Sequence, residues 1–244
     1  MEELKQQVKE ALEKGTIAGF LGLGSDGGHL APLFITKDNL SDLEKLTQAD
    51  SRYPLGKILT KIAAKNPTQT IGVTVDSDEE KSLTELFKAK QLEASKIVKF
   101  SAISQPQSVK DNTELLARIE QMPVEERLKF WMAQFGKCIK CYGCRNICPM
   151  CYCEECTLED KRLVPTSALP TDIPVFHLIK AIHMADRCID CGLCEQACPA
   201  KIPLRTIYRH MAKVMKELYD YAPGKSIDEK SPLGALEDGG KLPA

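Results

Sequence analysis

Two runs of cysteine carry the only strongly patterned chemistry in this sequence. Cys138-Ile-Lys-Cys141-Tyr-Gly-Cys144-Arg-Asn-Ile-Cys148-Pro149 and Cys188-Ile-Asp-Cys191-Gly-Leu-Cys194-Glu-Gln-Ala-Cys198-Pro199 share one spacing, C-x2-C-x2-C-x3-C-P. Thiolates at this spacing hold a [4Fe–4S] cubane: three sit on a tight loop around one face, and the fourth arrives from a helical turn. One copy could equally bind zinc. Two complete copies, each closed by proline, point to two [4Fe–4S] clusters. Three further cysteines, Cys151, Cys153 and Cys156, follow the first run at once, beside glutamates rather than in an apolar stretch. Buried cysteine also serves as a small apolar filler. The spacing here favours ligands instead, either of a third metal centre (iron–sulfur or zinc) or of an altered first cluster.

Composition bounds what else the chain can be. It has 244 residues, 43% of them hydrophobic, and a formal net charge of −1. That charge gives no bulk attraction to nucleic acid or anionic lipid. All 11 cysteines lie between positions 138 and 198. Disulfide frameworks spread cysteine through small secreted chains, so this crowding implies metal and a reducing compartment. The charged N-terminal stretch has no apolar signal segment, and no run approaches the roughly 18 apolar residues of a membrane span. A soluble, cytoplasmic protein without direct membrane insertion is expected.

The elements that must position the cysteines follow from periodicity. Leu4, Val8 and Leu12 share one face of a helix over 2–14, stopped by Gly15. Ile17–Leu23 reads as a strand, and Gly28–Thr36 as a second. Between them Gly22-Leu-Gly24-Ser-Asp-Gly27 matches G-x-G-x-x-G but lacks the helix a dinucleotide site needs, so it reads as a hairpin turn. Asp38 caps a helix over 39–47, Pro54 opens another to Ala64, and Thr70–Val75 is a β-branched strand. Ser77 and Glu80 form a capping box for a helix to Ala89, followed by a strand over Lys96–Phe100. This alternation predicts an α/β domain over 1–110, with a polar linker at 101–113. A helix from Pro123, with Leu128, Trp131, Met132 and Phe135 on one side, feeds Cys138; Trp131 is expected to pack against a cluster. Phe176–Arg187 feeds Cys188, after a loop over 157–171. A long helix then runs from Leu204 to Tyr221, with Ile207, Met211, Met215 and Leu218 as its apolar face. The region 111–221 is thus a mainly α-helical domain, and 222–244 is expected to be an extended tail, suited to lying on a partner.

Other chemistry is sparse. His29, His177, His183 and His210 are scattered, and lone helical histidines are usually surface or core residues. No Ser–His–Asp spacing, Walker loop or H-E-x-x-H is present. Lys137, Lys140 and Arg145 lie near the first motif and Asp190 and Glu195 near the second, a charge difference that would separate two cluster potentials unless these side chains are simply solvated. Ile139, Ile147, Ile189 and Leu193 are expected to shield the clusters.

Helical inserts around both motifs resemble the α-helical dicluster ferredoxins, including heterodisulfide reductase-like iron–sulfur subunits; Cys188 through Leu204 is very similar to theirs. That resemblance pairs the ligands crosswise: Cys138, Cys141 and Cys144 with Cys198, and Cys188, Cys191 and Cys194 with Cys148. Trp131–Cys156 together with Thr70–Phe100 resembles the coenzyme F420 hydrogenase/formate dehydrogenase β-subunit family. Members of that family carry Fe–S clusters, and many bind a flavin that exchanges electrons with F420. Here the family's Gly-Cys-Asp-like turn is Thr74-Val-Asp76-Ser, so FAD is the alternative rather than the main expectation. The resemblance implies an iron–sulfur electron-transfer subunit of a multi-subunit anaerobic oxidoreductase, partnered by catalytic or flavin-containing redox subunits and without catalytic residues of its own. A flavin-binding β subunit using F420, NAD(P) or ferredoxin, and a freely diffusing ferredoxin-like carrier, are the competing readings.

Overall fold

The computed structural model describes residues 1–47, 53–101, 112–153, 156–160, 162 and 173–233. The chain divides into two units, one over residues 1–108 with 224–228, the other over 109–223 with 229–244.

The first unit is a four-stranded sheet in the order β2-β1-β3-β4, preceded by helix α1 (Glu2–Lys14). Strands β1 (Gly19–Asp26) and β2 (His29–Ile35) pair antiparallel, with Asp26 opposite His29. Only Gly27 and Gly28 turn the chain, at φ 56° and 83°. Consecutive left-handed residues are what a tight hairpin requires, so the glycine-rich run is the turn its context indicated. Helix α2 (Leu55–Lys65) leads to β3 (Ile71–Val75), and α3 (Ser77–Lys88) leads to β4 (Ile97–Ser101). Both β1–β3 and β3–β4 are parallel.

One sheet face packs on α1. Leu4, Val8 and Leu12 meet Ile17, Phe20, Ile35 and Phe100 in a single core. The Phe20 and Phe100 rings meet edge to face at 5.3 Å, an arrangement favoured by the ring quadrupole. They do so because Gly72 lies between them. A Cβ there would stand 2.8 Å from Phe100, 2.9 Å from Ile17 and 3.1 Å from Phe20. Replacement Gly72→Val is therefore expected to lower stability by about 1–3 kcal/mol, read as a lower urea midpoint with an unchanged slope.

Two caps differ from expectation. Ser77 does not cap α3. Asp76 does, its carboxylate accepting from the Asp78 and Glu79 N–H groups at 3.0 and 2.8 Å, because a charged acceptor is the stronger of two adjacent candidates. Glu79 is turned instead onto the N-terminus of α2, accepting from Leu55 and Gly56 at 2.9 Å each. Likewise Thr36, not Asp38, caps the kinked 3-10 segment Lys37–Lys45, in a reciprocal box with Asn39.

The second unit is helical: α4 (Thr113–Gln121), α5 (Val124–Phe135), single turns α6 (Gly143–Asn146) and α8 (Leu193–Gln196), α7 (Ile173–Met184) and α9 (Leu204–Tyr219). Helix α4 was not anticipated. It is tied to α9 through buried Asn112, whose amide donates to Thr206 Oγ1 at 2.9 Å and whose oxygen accepts from Arg209 at 2.5 Å. Leu128 (60% exposed), Met132 (47%) and Leu218 (65%) face outward, contrary to the apolar faces drawn for them. Trp131 stacks on Phe135 at 5.5 Å.

The stretch 222–244 is not an extended tail throughout. Within the first unit the Gly224 N–H donates to Glu85 Oε1 at 2.6 Å. Within the second, the Ser231 hydroxyl donates to the Asp186 carboxylate. Residues 234–244, the linker at 102–111 and most of the loop at 161–172 lie outside the described residues.

Candidate metal centres

Each cysteine motif adopts the same backbone path. Lys140 and Asp190 stand at φ 52° and 59°, and Tyr142 and Gly192 at φ 57° and 72°. Two left-handed residues two positions apart in each loop reverse the chain twice and turn amides inward; the Lys140 N–H lies 3.4 Å from Cys138 Sγ. Only Gly192 adopts this conformation at no steric cost. Tyr142 accepts the strain, and its ring packs edge-on against Phe176 at 5.6 Å with the Arg145 guanidinium over it at 5.7 Å. After each loop a single helical turn brings up the fourth cysteine. A Cβ on Gly143 would stand 3.1 Å from the Ala197 carbonyl, so the two turns approach closely.

These loops surround two cavities. Cys138, Cys141, Cys144 and Cys198 line the first, which holds about 340 Å³ of atom-free space, part of it open to solvent. Cys148, Cys188, Cys191 and Cys194 line the second, of about 380 Å³. Each set takes three cysteines from one motif and one from the other. Cys151, Cys153 and Cys156 line neither cavity. No disulfide joins any of the 11.

The cavities suit a cluster rather than an ion. Among the described residues no group of three or more His, Cys, Asp or Glu is placed to hold a single metal ion. Tetrahedral zinc with Zn–S near 2.3 Å would draw its sulfurs to within roughly 4 Å of each other. Four thiols that line one cavity without forming such an ion-sized group suit a cubane, whose irons each take one thiolate. Burial pushes the Cys144 thiol up to about 11 and the Cys188 thiol up to about 12, and raises Cys194 well above the ordinary thiol value. Buried sulfur thus stays a thiol until a metal replaces its proton.

Each cavity also has a buried polar group without a partner. Among the described residues, both ring nitrogens of His177 (1% exposed) and the hydroxyl of Tyr208 (3% exposed) find no hydrogen-bond partner. His177 lines the first cavity and Tyr208 the second. Burial, with Lys180 nearby, lowers the His177 pKa to about 4, so the ring is neutral with one N–H. An acceptor-rich cluster is what such a wall lacks.

Charge differs from the sequence expectation. Lys140 lines the first cavity, but Arg145 is engaged by Glu159. At the second, Asp190 is bound by Arg205 at 2.6 and 2.8 Å, and Arg205 itself lines the cavity. The acidic bias read there is therefore offset. Ile139 lines the first cavity although 61% exposed, and Ile189, 5% exposed, lines the second. Ile147 lines neither, and Leu193 is buried.

Sequence reasoning passed over Lys180. It is 2% exposed, and its ammonium donates to Cys151 Sγ at 3.0 Å. Burial opposes its charge, yet the Cys148 and Cys151 sulfurs hold its pKa above the ordinary lysine value. The signal was available: Ile173, Phe176, His177, Lys180, Ala181 and Met184 form the buried stripe of α7 at helical spacing. Helix α7 began three residues earlier than expected, since Pro174 is tolerated in a first turn.

Comparison with known proteins agrees with this geometry. Residues 137–203 match the 4Fe-4S dicluster domain family. Over 122 residues the chain is 36% identical to the F420-dependent formate dehydrogenase subunit beta of Methanocaldococcus jannaschii, covering 49% of this chain and 32% of that protein. Over 102 residues it is 40% identical to the F420-dependent formate dehydrogenase 1 subunit beta of Methanococcus maripaludis, covering 42% and 26% respectively. The matches thus span about a third or less of those relatives' own length. The family resemblance expected from the sequence is supported over part of the chain, which is similar to formate dehydrogenase β subunits. Among the described residues no helix is long and apolar enough to cross a membrane.

Proposed function

We propose that this chain is an iron–sulfur electron-transfer subunit of a multi-subunit oxidoreductase. One observation carries the reading: eight cysteines from two motifs are regrouped four and four around two cavities. Cys138, Cys141, Cys144 and Cys198 hold one [4Fe–4S] cluster; Cys188, Cys191, Cys194 and Cys148 hold the other. When bound, such clusters supply one-electron transfer with no bond to substrate made or broken.

The chain's own residues set the conditions. Helix α7 passes both cavities, Phe176 and His177 lining the first and Met184 the second. Seven residues at 1.5 Å rise place the sites about 10 Å apart along it. Lys180 lies between them in sequence and is buried, so its positive charge offsets the negative charge the two sites collect. Ile189, Ile202 and Met150 exclude water from the cavity walls.

The relatives are named as F420-dependent formate dehydrogenase subunits. This supports redox partners of the formate dehydrogenase, hydrogenase or heterodisulfide reductase type, in an anaerobic, cytoplasmic setting. The F420 in those names also favours a second reading, a flavin-binding β subunit exchanging electrons with F420, NAD(P) or ferredoxin. Cys151, Cys153 and Cys156 are kept as candidate ligands of a third metal centre. Isolation of the native complex under anaerobic conditions tests all three points. The expected result is co-purifying redox subunits, no flavin absorbance in the separated chain, and two reducible [4Fe–4S] signals. Flavin on this chain promotes the second reading. Iron clearly above about eight per chain, falling when Cys153 is replaced by serine, establishes the third centre.

A further inference from the structure

We propose that His177 and Tyr208 are hydrogen-bond donors to the two clusters, His177 to sulfur in the first cavity and Tyr208 to sulfur in the second. The inference rests on the cluster reading and adds to it two residues outside both cysteine motifs.

Three observations converge on these side chains. First, each lines one cavity and not the other. Second, each is almost wholly buried and has no hydrogen-bond partner among the described residues. Leaving a buried donor unmade costs about 1–3 kcal/mol, and a native fold holds few such groups. Third, packing fixes both rings. The His177 ring is stacked on Phe135 at 4.7 Å and meets Phe176 edge-on at 5.1 Å. The Tyr208 ring lies on the buried face of α9 with the Lys180 ammonium 5.9 Å from its centre. Of the chain's four histidines, His177 alone is buried.

The chemistry of the acceptor completes the argument. Sulfide and thiolate sulfurs of a cubane carry lone pairs and negative charge and offer no donor. A wall serving them needs N–H and O–H groups, and these two have no other acceptor among the described residues. Hydrogen bonds to cluster sulfur favour the reduced, more negative state and raise the potential. Because one donor is an imidazole and the other a phenol, each site is tuned by a different group.

The test uses the full chain reconstituted anaerobically with iron and sulfide, in wild-type form and as His177→Phe and Tyr208→Phe. Each phenylalanine keeps the ring and removes the donor. Iron content and an EPR-monitored redox titration are read for each. His177→Phe is expected to keep its iron and to lower one midpoint potential, by about tenfold in the reduction equilibrium constant, which for one electron is about 59 mV. Tyr208→Phe is expected to lower the other. Unmoved potentials at full iron content, or both variants moving the same cluster, overturn the proposal while leaving the cluster reading intact. A wild-type chain that binds no cubane overturns both. Should a variant fail to load, wild-type protein carrying 15N-histidine decides the His177 half: a nitrogen coupling to one reduced cluster in pulsed EPR supports it, and its absence rejects it. Wild-type protein carrying tyrosine labelled with 17O at the phenol decides the Tyr208 half in the same way, through an oxygen coupling at the other cluster.

Discussion

Serine at Cys198 is expected to remove the iron held by Cys138, Cys141 and Cys144, and to spare that held by Cys188, Cys191 and Cys194. The wild-type chain should carry about eight irons, four per cubane, and the variant about four. The decisive measurement is a pair of double variants. Cys198 lines the first cavity with the 138–144 thiols, so Cys138→Ser/Cys198→Ser should lose no more iron than either single change. Cys188→Ser/Cys198→Ser strikes both cavities and should lose nearly all of it. Ligation confined within each motif predicts the reverse: additive loss for the first pair and shared loss for the second. That outcome would falsify the crosswise grouping.

Iron removal should unfold much of the helical unit and leave the sheet unit standing. The sheet unit has a large apolar core built from α1 and both kinds of strand. In the helical unit, buried Phe176, Ile202 and Leu204 line the first cavity and Met150, Met184 and Ile189 the second, so much of this core packs around what the cavities hold. Helices α6 and α8 have four residues each, far below the length at which a helix holds itself. The motif loops carry left-handed Lys140, Tyr142 and Asp190, and the walls carry unpartnered His177 and Tyr208. All of these are costs that bound metal offsets, because ligand binding to a site absent from the unfolded chain is folding free energy. After anaerobic chelation, hydrogen exchange should show amides over 138–148 and 188–208 losing most of their protection while β1, β3 and β4 keep theirs. Protection of both cysteine loops unchanged in the iron-free chain would show that the protein, not the metal, holds them.

The 4Fe-4S dicluster domain was legible in the sequence because thiolate spacing is a local property. A C-x2-C-x2-C run can reach one face of a cubane whatever surrounds it. The periodic helices and the β-branched strands were legible for the same reason, since α1 and β3 declare themselves within a few residues. Caps were less so. Asp76 against Ser77, and Thr36 against Asp38, are choices between adjacent acceptors settled by which oxygen the folded backbone presents. The walls of the site were decided by tertiary structure alone. His177 and Tyr208 belong to α7 and α9, and nothing in their neighbours marks them as facing a cavity. Only the packing of those helices on the two cysteine loops brings them there. Lys180 and Arg205 are the same case: a cation's effect depends on burial and on its partners, Cys151 for one and Asp190 for the other, which lie 29 and 15 positions away. Chemistry carried by neighbouring residues can be read from the chain, whereas the environment that tunes it is assembled from distant ones and exists only in the fold.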